Sequence, residues 1–197
     1  MVERLSAKQL AQNRTEYLEI VNNTFECDTD NLLNWFENSD FWEAPASTKY
    51  HDSYQGGLVQ HHLQVYRELM LLNYTKMLNL GEVSIARTAL LHDICKVDFY
   101  RMGRKNKKLD DGRWITVDQF EVNDENPLGH GEKSAILALK HQIPLTDDEI
   151  RAIRWHMGSY GPESKDYIGM QALSAAMNKT PLVVALQLAD MMATYFK

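Results

Sequence analysis

The chain has 197 residues, 44% hydrophobic, 10% aromatic and 24% charged, which fits one globular domain and excludes disordered, collagen-like and coiled-coil classes. Cys27 and Cys95 show no Cys-x-x-Cys spacing, which excludes a disulfide scaffold or a thiolate zinc site and suits a reducing, cytoplasmic location. A formal charge of −6 argues against a surface generally coated with nucleic acid but leaves room for a local basic site.

The pattern along the chain is mostly helical. The first residues carry no apolar run of the signal-peptide kind. Ser6 is placed to cap a helix from Ala7 to about Asn22, and Asp30 to cap a short one through Glu37. Residues 38–55 read as a loop, and Gly56-Gly57 opens a long helix to about Leu80, where Gly81 interrupts the period. Further helices are predicted over residues 82–96, 131–142, 146–157, 168–178 and 181–196. Thr146 and Glu149 form a capping box for one, and Pro181 suits the first turn of another. Between Asp98 and Pro127 the helical period disappears. Asp110-Asp111-Gly112 there separates Lys107-Lys108-Leu109 from Arg113-Trp114-Ile115-Thr116-Val117, which reads as a β-hairpin. The longest apolar run, Pro181–Ala189, stops at Asp190 and is too short to span a bilayer, so no membrane partner is expected.

Two helices break their own patterning. His92-Asp93 interrupts the apolar run Ala89-Leu90-Leu91-His92-Asp93-Ile94-Cys95, and Asp190 falls on the stripe of Val183, Leu186 and Ala193. A carboxylate in such a place costs several kcal/mol to bury unless it is paired or bound to a cation. His61 aligns with Leu58, Val65, Leu69 and Leu72, His156 ends the helix carrying Ile150 and Ile153, and His130 stands between two glycines at a helix start. His62 is rotated about 100° from His61, so only one of them can face a site squarely. His141 is expected at the surface, and His51, in the loop before Gly56, is within reach of a site mouth. Imidazoles and carboxylates from five segments suit a first-row divalent metal.

The order His, His-Asp, His, His, Asp resembles the HD-domain superfamily of metal-dependent phosphohydrolases. The resemblance runs through Gly56-Gly57-Leu58-Val59-Gln60-His61, Leu91-His92-Asp93-Ile94-Cys95-Lys96, Gly129-His130-Gly131, Trp155-His156-Met157 and Leu188-Ala189-Asp190, over roughly three quarters of the chain. The opening Gly-Gly-Leu-x-x-His resembles the HD domains of bacterial exoribonucleases that trim 3′ ends. The chain has no room for the OB-fold domain of those enzymes, so their activity does not carry over. The resemblance implies an all-α HD-type helical bundle over 1–197. Residues 1–49, with Trp35, Phe36, Phe41 and Trp42, would complete its core or form a homodimer surface, and 98–127 would be an inserted basic β-hairpin. His61, His92, Asp93 and Asp190 would form a primary metal site. His130 and His156 would add the second site of two-metal members, with Asp93 bridging.

Two divalent cations (manganese, iron, zinc, nickel, cobalt or magnesium) would then hold a bridging hydroxide and clamp a phosphoryl oxygen, so that the chain cleaves a phosphate ester of a nucleotide or a phosphodiester. Asp93 and Lys96 are the expected catalytic residues, Lys96 as a cation near the transferring phosphoryl group, with a helix C-terminal cap as its simpler role. Glu132 and Lys133 are expected behind His130 or merely in its first helical turn. Six cations and two anions lie between Arg101 and Arg113. This ribbon reads either as an arm that attracts an anionic substrate or nucleic acid, or as a solvated edge protected from pairing. Arg101 and Arg104 are its nearest candidates for substrate contact, and Tyr100 and Trp114 its candidates for stacking on a base. Two other functions suit the same residues. One is a mixed-valent di-iron oxygenase of the same superfamily, and the other a non-catalytic module that binds a nucleotide or nucleic acid.

Overall fold

The computed structural model describes residues 4–196, so the reading of the N-terminus as lacking a signal peptide lies partly outside the described residues. Eight α-helices and one antiparallel ribbon follow in the order α1 (Ala7–Thr24), α2 (Asp30–Glu37), α3 (Gly57–Lys76), α4 (Glu82–Leu91), β1 (Tyr100–Lys108), β2 (Trp114–Val122), α5 (His130–Lys140), α6 (Asp147–Trp155), α7 (Tyr167–Lys179) and α8 (Pro181–Tyr195). This is a helical bundle with one β-hairpin inserted. Among the described residues, no helix is long and apolar enough to cross a membrane.

Local chemistry sets most of the boundaries. Ser6 Oγ accepts from the Gln9 amide, and Thr146 and Glu149 satisfy each other's backbone N–H groups in a complete capping box. Asp30 is a correction: it is the first residue of α2 rather than its cap, and its own amide donates to Asp28 Oδ1 at 2.9 Å. The long helix also ends earlier than predicted, at Met77, which adopts a left-handed conformation with φ 50°. The ribbon pairs Tyr100 with Val122 through Lys108 with Trp114, so the predicted hairpin is present and longer at its base.

The largest departure concerns the helix expected over residues 82–96. It stops at Leu91; Asp93 has φ −117° and ψ 15°, and Ile94–Lys96 form a single 3-10 turn. The bridge-region backbone at Asp93 swings the chain, and residues three apart eclipse one another in a 3-10 turn, which sets Lys96 directly over Asp93.

Two hydrophobic clusters share α3 and α4. The first joins Tyr17, Val21, Leu32, Phe36 and Phe41 to Leu58, Leu63, Leu90 and Ala138. The second joins Val65, Leu69, Ile85 and Ala89 to Val183, Leu186 and Ala193. Phe36 and Phe41 stack at 3.7 Å between ring centroids, and the Tyr17 hydroxyl donates to the Leu90 carbonyl at 2.8 Å, two residues before His92. The N-terminal helices thus lie in the same core as α3 and α4. Burying each of these aromatic side chains stabilises the fold by about 1.5–3 kcal/mol. His141, expected at the surface, is half-buried because its ring stacks on Trp35 at 4.3 Å.

Residues 38–56 fold over the start of α3. The Leu58 amide donates to the Ala44 carbonyl, and a side chain at Gly57 would bring its Cβ within 2.0 Å of the Asp52 carbonyl oxygen. Glycine is required there by close backbone approach, and the contact fixes Asp52 beside the helix that carries His61.

Asp40 and Asp98 tie this loop to the segment entering β1. The Asp98 amide donates to Asp40 Oδ1 at 2.7 Å, and the Asp40 amide to Asp98 Oδ1 at 3.1 Å. Burial, helped by the Asp98 charge and opposed by its backbone hydrogen bond, pushes the Asp40 carboxyl up to about 6. A carboxyl with a raised folded-state pKa favours folding when protonated. Its contribution is full below about pH 4, the unfolded value, and is lost as the pH rises to about 6. Asp40→Asn is expected to remove that loss, on the order of 1 kcal/mol after solvent screening. Urea midpoints of both proteins at pH 4, 5 and 6 check this, and parallel pH slopes would contradict it.

Candidate metal centre

Two of the candidate histidines follow helix ends. His92 stands immediately after α4 and His156 immediately after α6. The last carbonyls of a helix lack intrahelical donors. His92 Nδ1 lies 2.9 Å from the Ala89 carbonyl and His156 Nδ1 2.7 Å from the Ile153 carbonyl. A carbonyl only accepts, so each Nδ1 carries the proton and each Nε2 presents a lone pair. The same hydrogen bond satisfies a helix end and fixes the tautomer a cation needs.

These lone pairs converge on Asp93, which is almost wholly buried. Asp93 Oδ2 lies 3.5 Å from His92 Nε2 and 3.9 Å from His61 Nε2. Asp93 Oδ1 lies 2.7 Å from His130 Nε2 and 3.4 Å from His156 Nε2. The carboxylate therefore offers one oxygen to each of two histidine pairs. Asp190, on α8, reaches His61 Nε2 at 3.0 Å, where α3 and α8 pack together.

The donor set fits a divalent cation. The Nε2 atoms of His92 and His156 are buried and have no hydrogen-bond partner among the described residues, and that of His61 faces only carboxylates, nearest Asp190 at 3.0 Å. Buried polar atoms are rarely left so, and carboxylates have no proton to offer them. Ligand atoms of His61, His92 and Asp190 lie within 4.8 Å of one another, as do those of His92, Asp93 and His156 and those of Asp93, Cys95 and His130. Overlapping sets of nitrogen and anionic oxygen donors suit first-row divalent ions.

Electrostatics follow from the burial of so many ionisable groups. Burial opposes ionisation of Asp93, but Lys96, His92 and His130 hold its carboxyl well below the usual range. Burial likewise opposes ionised Asp190, and the hydrogen bond and charge of His61 hold it below the ordinary value. His92 is driven down to about 3, by burial above all, and stays neutral. His130 moves the other way, up to about 10, because Cys95 and Asp93 outweigh its burial. Lys96 Nζ sits 2.5 Å from Asp93 Oδ2, and that carboxylate outweighs burial to hold the ammonium above the lysine range.

The structure thus gathers His61, His92, Asp93, Lys96, His130, His156 and Asp190 at one point. It does not bring Arg101 and Arg104 there. Both are exposed and face Glu121 at 3.8 Å and Asp118 at 4.0 Å across the ribbon. Strand alternation turns Arg101 away from the face of Tyr100, and Arg104 lies about 13 Å farther along. Tyr100 does line the cavity above Asp93, whereas Trp114 sits by the exposed hairpin turn, opposite Lys108. His62 is packed beside Tyr17 and Phe41, with ring centroids at 6.2 and 5.9 Å. Glu132 pairs with Arg154 at 2.7 Å and Lys133 with Asp124 at 2.6 Å, both away from Asp93.

Cys95 and Asp52 stand out less in the sequence, while His51 lies at the site mouth as expected. Cys95, discounted on its spacing, places Sγ 3.3 Å from His130 Nδ1. His51 brings its ring centroid to 4.8 Å from that of His61, and Asp52 Oδ2 lies 3.9 Å from His61 Nδ1. His51 and Asp52 belong to an aperiodic loop, and only the close approach of that loop to Gly57 brings them in. The Gly-Gly pair at its end was the available signal.

A cavity of about 320 Å³ lies above this cluster, lined by Lys96, Asp93, His130 and Asp190 with the Ser47 and Thr48 hydroxyl side chains. Comparison with curated proteins and with solved structures returns no match. The HD domain family, in contrast, matches residues 59–195. Every candidate ligand from His61 to Asp190 falls inside that span, which covers most of the sequence, and the chain belongs to the HD-domain family.

Proposed function

We propose that the chain is a metal-dependent hydrolase of phosphate esters in which two divalent cations share Asp93. The carrying observation is the division of the Asp93 carboxylate, Oδ1 toward His130 and His156 and Oδ2 toward His61 and His92. Membership of a superfamily composed mostly of metal-dependent hydrolases supports the chemistry. Bound divalent cations would supply Lewis acidity and an activated water. His61, His92, Asp93 and Asp190 would hold one cation, and Asp93, His130 and His156 the other.

The protein's own groups account for the rest. Lys96 faces the cavity from directly above Asp93 and is positioned to neutralise charge on a phosphoryl group there. No serine or cysteine nucleophile is required. Cys95 Sγ instead orients His130.

The protein loaded with manganese, cobalt, nickel, zinc or magnesium is expected to hydrolyse para-nitrophenyl phosphate, its bis-ester or a member of a nucleotide panel. Absence of turnover with every ester and every cation would overturn this reading. Iron-dependent oxygen uptake in place of hydrolysis would select the oxygenase chemistry.

A further inference from the structure

A second cavity, about 440 Å³, opens beside the first and shares Tyr50, His51, Met157 and Asp190 with it. Its character differs. Beyond the shared rim its walls are Tyr160, Met191, Thr194 and Tyr195, with Gln187 supplying an amide and His156 bordering it from the metal centre. Tyr50, Tyr160 and Tyr195 are 80%, 69% and 75% exposed, so three aromatic rings frame the space without being packed into the core. Isolated exposed apolar residues need no explanation, but several around one concavity mark a binding site. The volume suits one small ligand.

Charge distribution assigns the two compartments to different parts of that ligand. Lys96 lines the first cavity, and neither Lys nor Arg lines the second. A phosphate is therefore drawn to the Lys96 side, and the neutral part of the same molecule is left the tyrosine side. Aromatic rings hold flat π systems by stacking, and an amide offers the paired donor and acceptor that match a base edge. Gly158 leaves the space that amide occupies. Its φ is 52°, and a Cβ there would come within 2.0 Å of Gln187 Nε2.

We propose that the tyrosine-lined compartment receives the nucleobase of a nucleoside phosphate whose phosphoryl group lies over Asp93 and Lys96. Tyr160 and Tyr195 stack on the base and Gln187 meets its edge. This assignment rests on the hydrolase reading and adds to it the group that selects the substrate.

The test compares nucleoside 5′-monophosphates with ribose 5-phosphate, which shares the ester but lacks the base, using manganese-loaded protein. Binding of adenosine and cytidine, which lack phosphate, is measured alongside by equilibrium dialysis. At least one nucleotide is expected to exceed ribose 5-phosphate about tenfold in kcat/KM. That ratio is expected to fall at least about fivefold in Tyr160→Ala and in Tyr195→Ala, the scale of a lost base stack. Equal hydrolysis of nucleotide and sugar phosphate overturns the compartment while leaving the hydrolase reading intact. So does a ratio that neither substitution changes. Nucleoside binding that the substitutions abolish, without hydrolysis of any ester, upholds the compartment and overturns the hydrolase reading. Absence of both binding and hydrolysis overturns both.

Discussion

Asp93→Asn is expected to abolish cation binding and hydrolysis together. Its two oxygens face two separate histidine pairs, so losing the charge weakens both candidate sites at once. The loss of cation affinity should exceed the 10–100-fold, roughly, that follows removal of a residue behind a ligand. The rate should fall by more than the 10²–10³-fold, roughly, of a single lost electrostatic stabiliser. The substitution also strands Lys96, a buried ammonium whose counter-charge is Asp93. Breaking a buried pair from one side costs about 3–5 kcal/mol, so the variant should melt early as well as fail to turn over. Asp93→Asn combined with Lys96→Met separates the two effects. The double variant should recover most of the melting temperature and none of the cation binding. Urea unfolding and equilibrium dialysis with manganese check both, and retained cation binding in either variant would contradict the assignment.

Lys96→Met alone should behave differently. The ammonium sits on the same carboxylate oxygen that His61 and His92 approach, so removing it takes a competing cation away from Oδ2. Cation content should therefore be unchanged or higher. Turnover should fall by about 10²–10³-fold, because the charge facing the phosphoryl group is gone. Lys96→Arg should restore part of the rate, since it returns the charge with different reach. The pattern of retained cation and lost kcat distinguishes a substrate-facing group from a helix cap. Unchanged kcat in Lys96→Met would make Lys96 a structural counter-ion of Asp93 and nothing more.

The parts of this site that were legible in the sequence are those where a period exposes an exception. His61 and Asp190 interrupt stripes in which Leu58, Val65, Leu69, Val183 and Leu186 are fully buried. The hairpin was legible because Asp110-Asp111-Gly112 interrupts β-prone residues, and Gly112 adopts φ 85°. The break after Leu91 was not legible, because Ala89 to Lys96 continues an amphipathic helix without any breaker residue. Tertiary demand decides it: only a chain that turns at Asp93 brings the carboxylate to four histidines and Lys96 over it. Asp52 and Cys95 were obscured for a related reason, whereas His51 lies at the site mouth as expected. The positions of Asp52 and Cys95 come from a loop folded over Gly57 and from a helix start at His130, and neither leaves a local repeat. Arg101 and Arg104 were drawn toward the site by their nearness to Lys96 in sequence. Strand geometry separates them from it, with one turned to the other face and the other carried outward.

The central claim is that two cations share one carboxylate, and metal stoichiometry tests it most directly. Elemental analysis of the protein after reconstitution with manganese, zinc or iron and removal of unbound ions is predicted to give about two metals per chain with at least one of them. A value of one or less with every cation would contradict the account, since His130 and His156 would then complete no second site with Asp93.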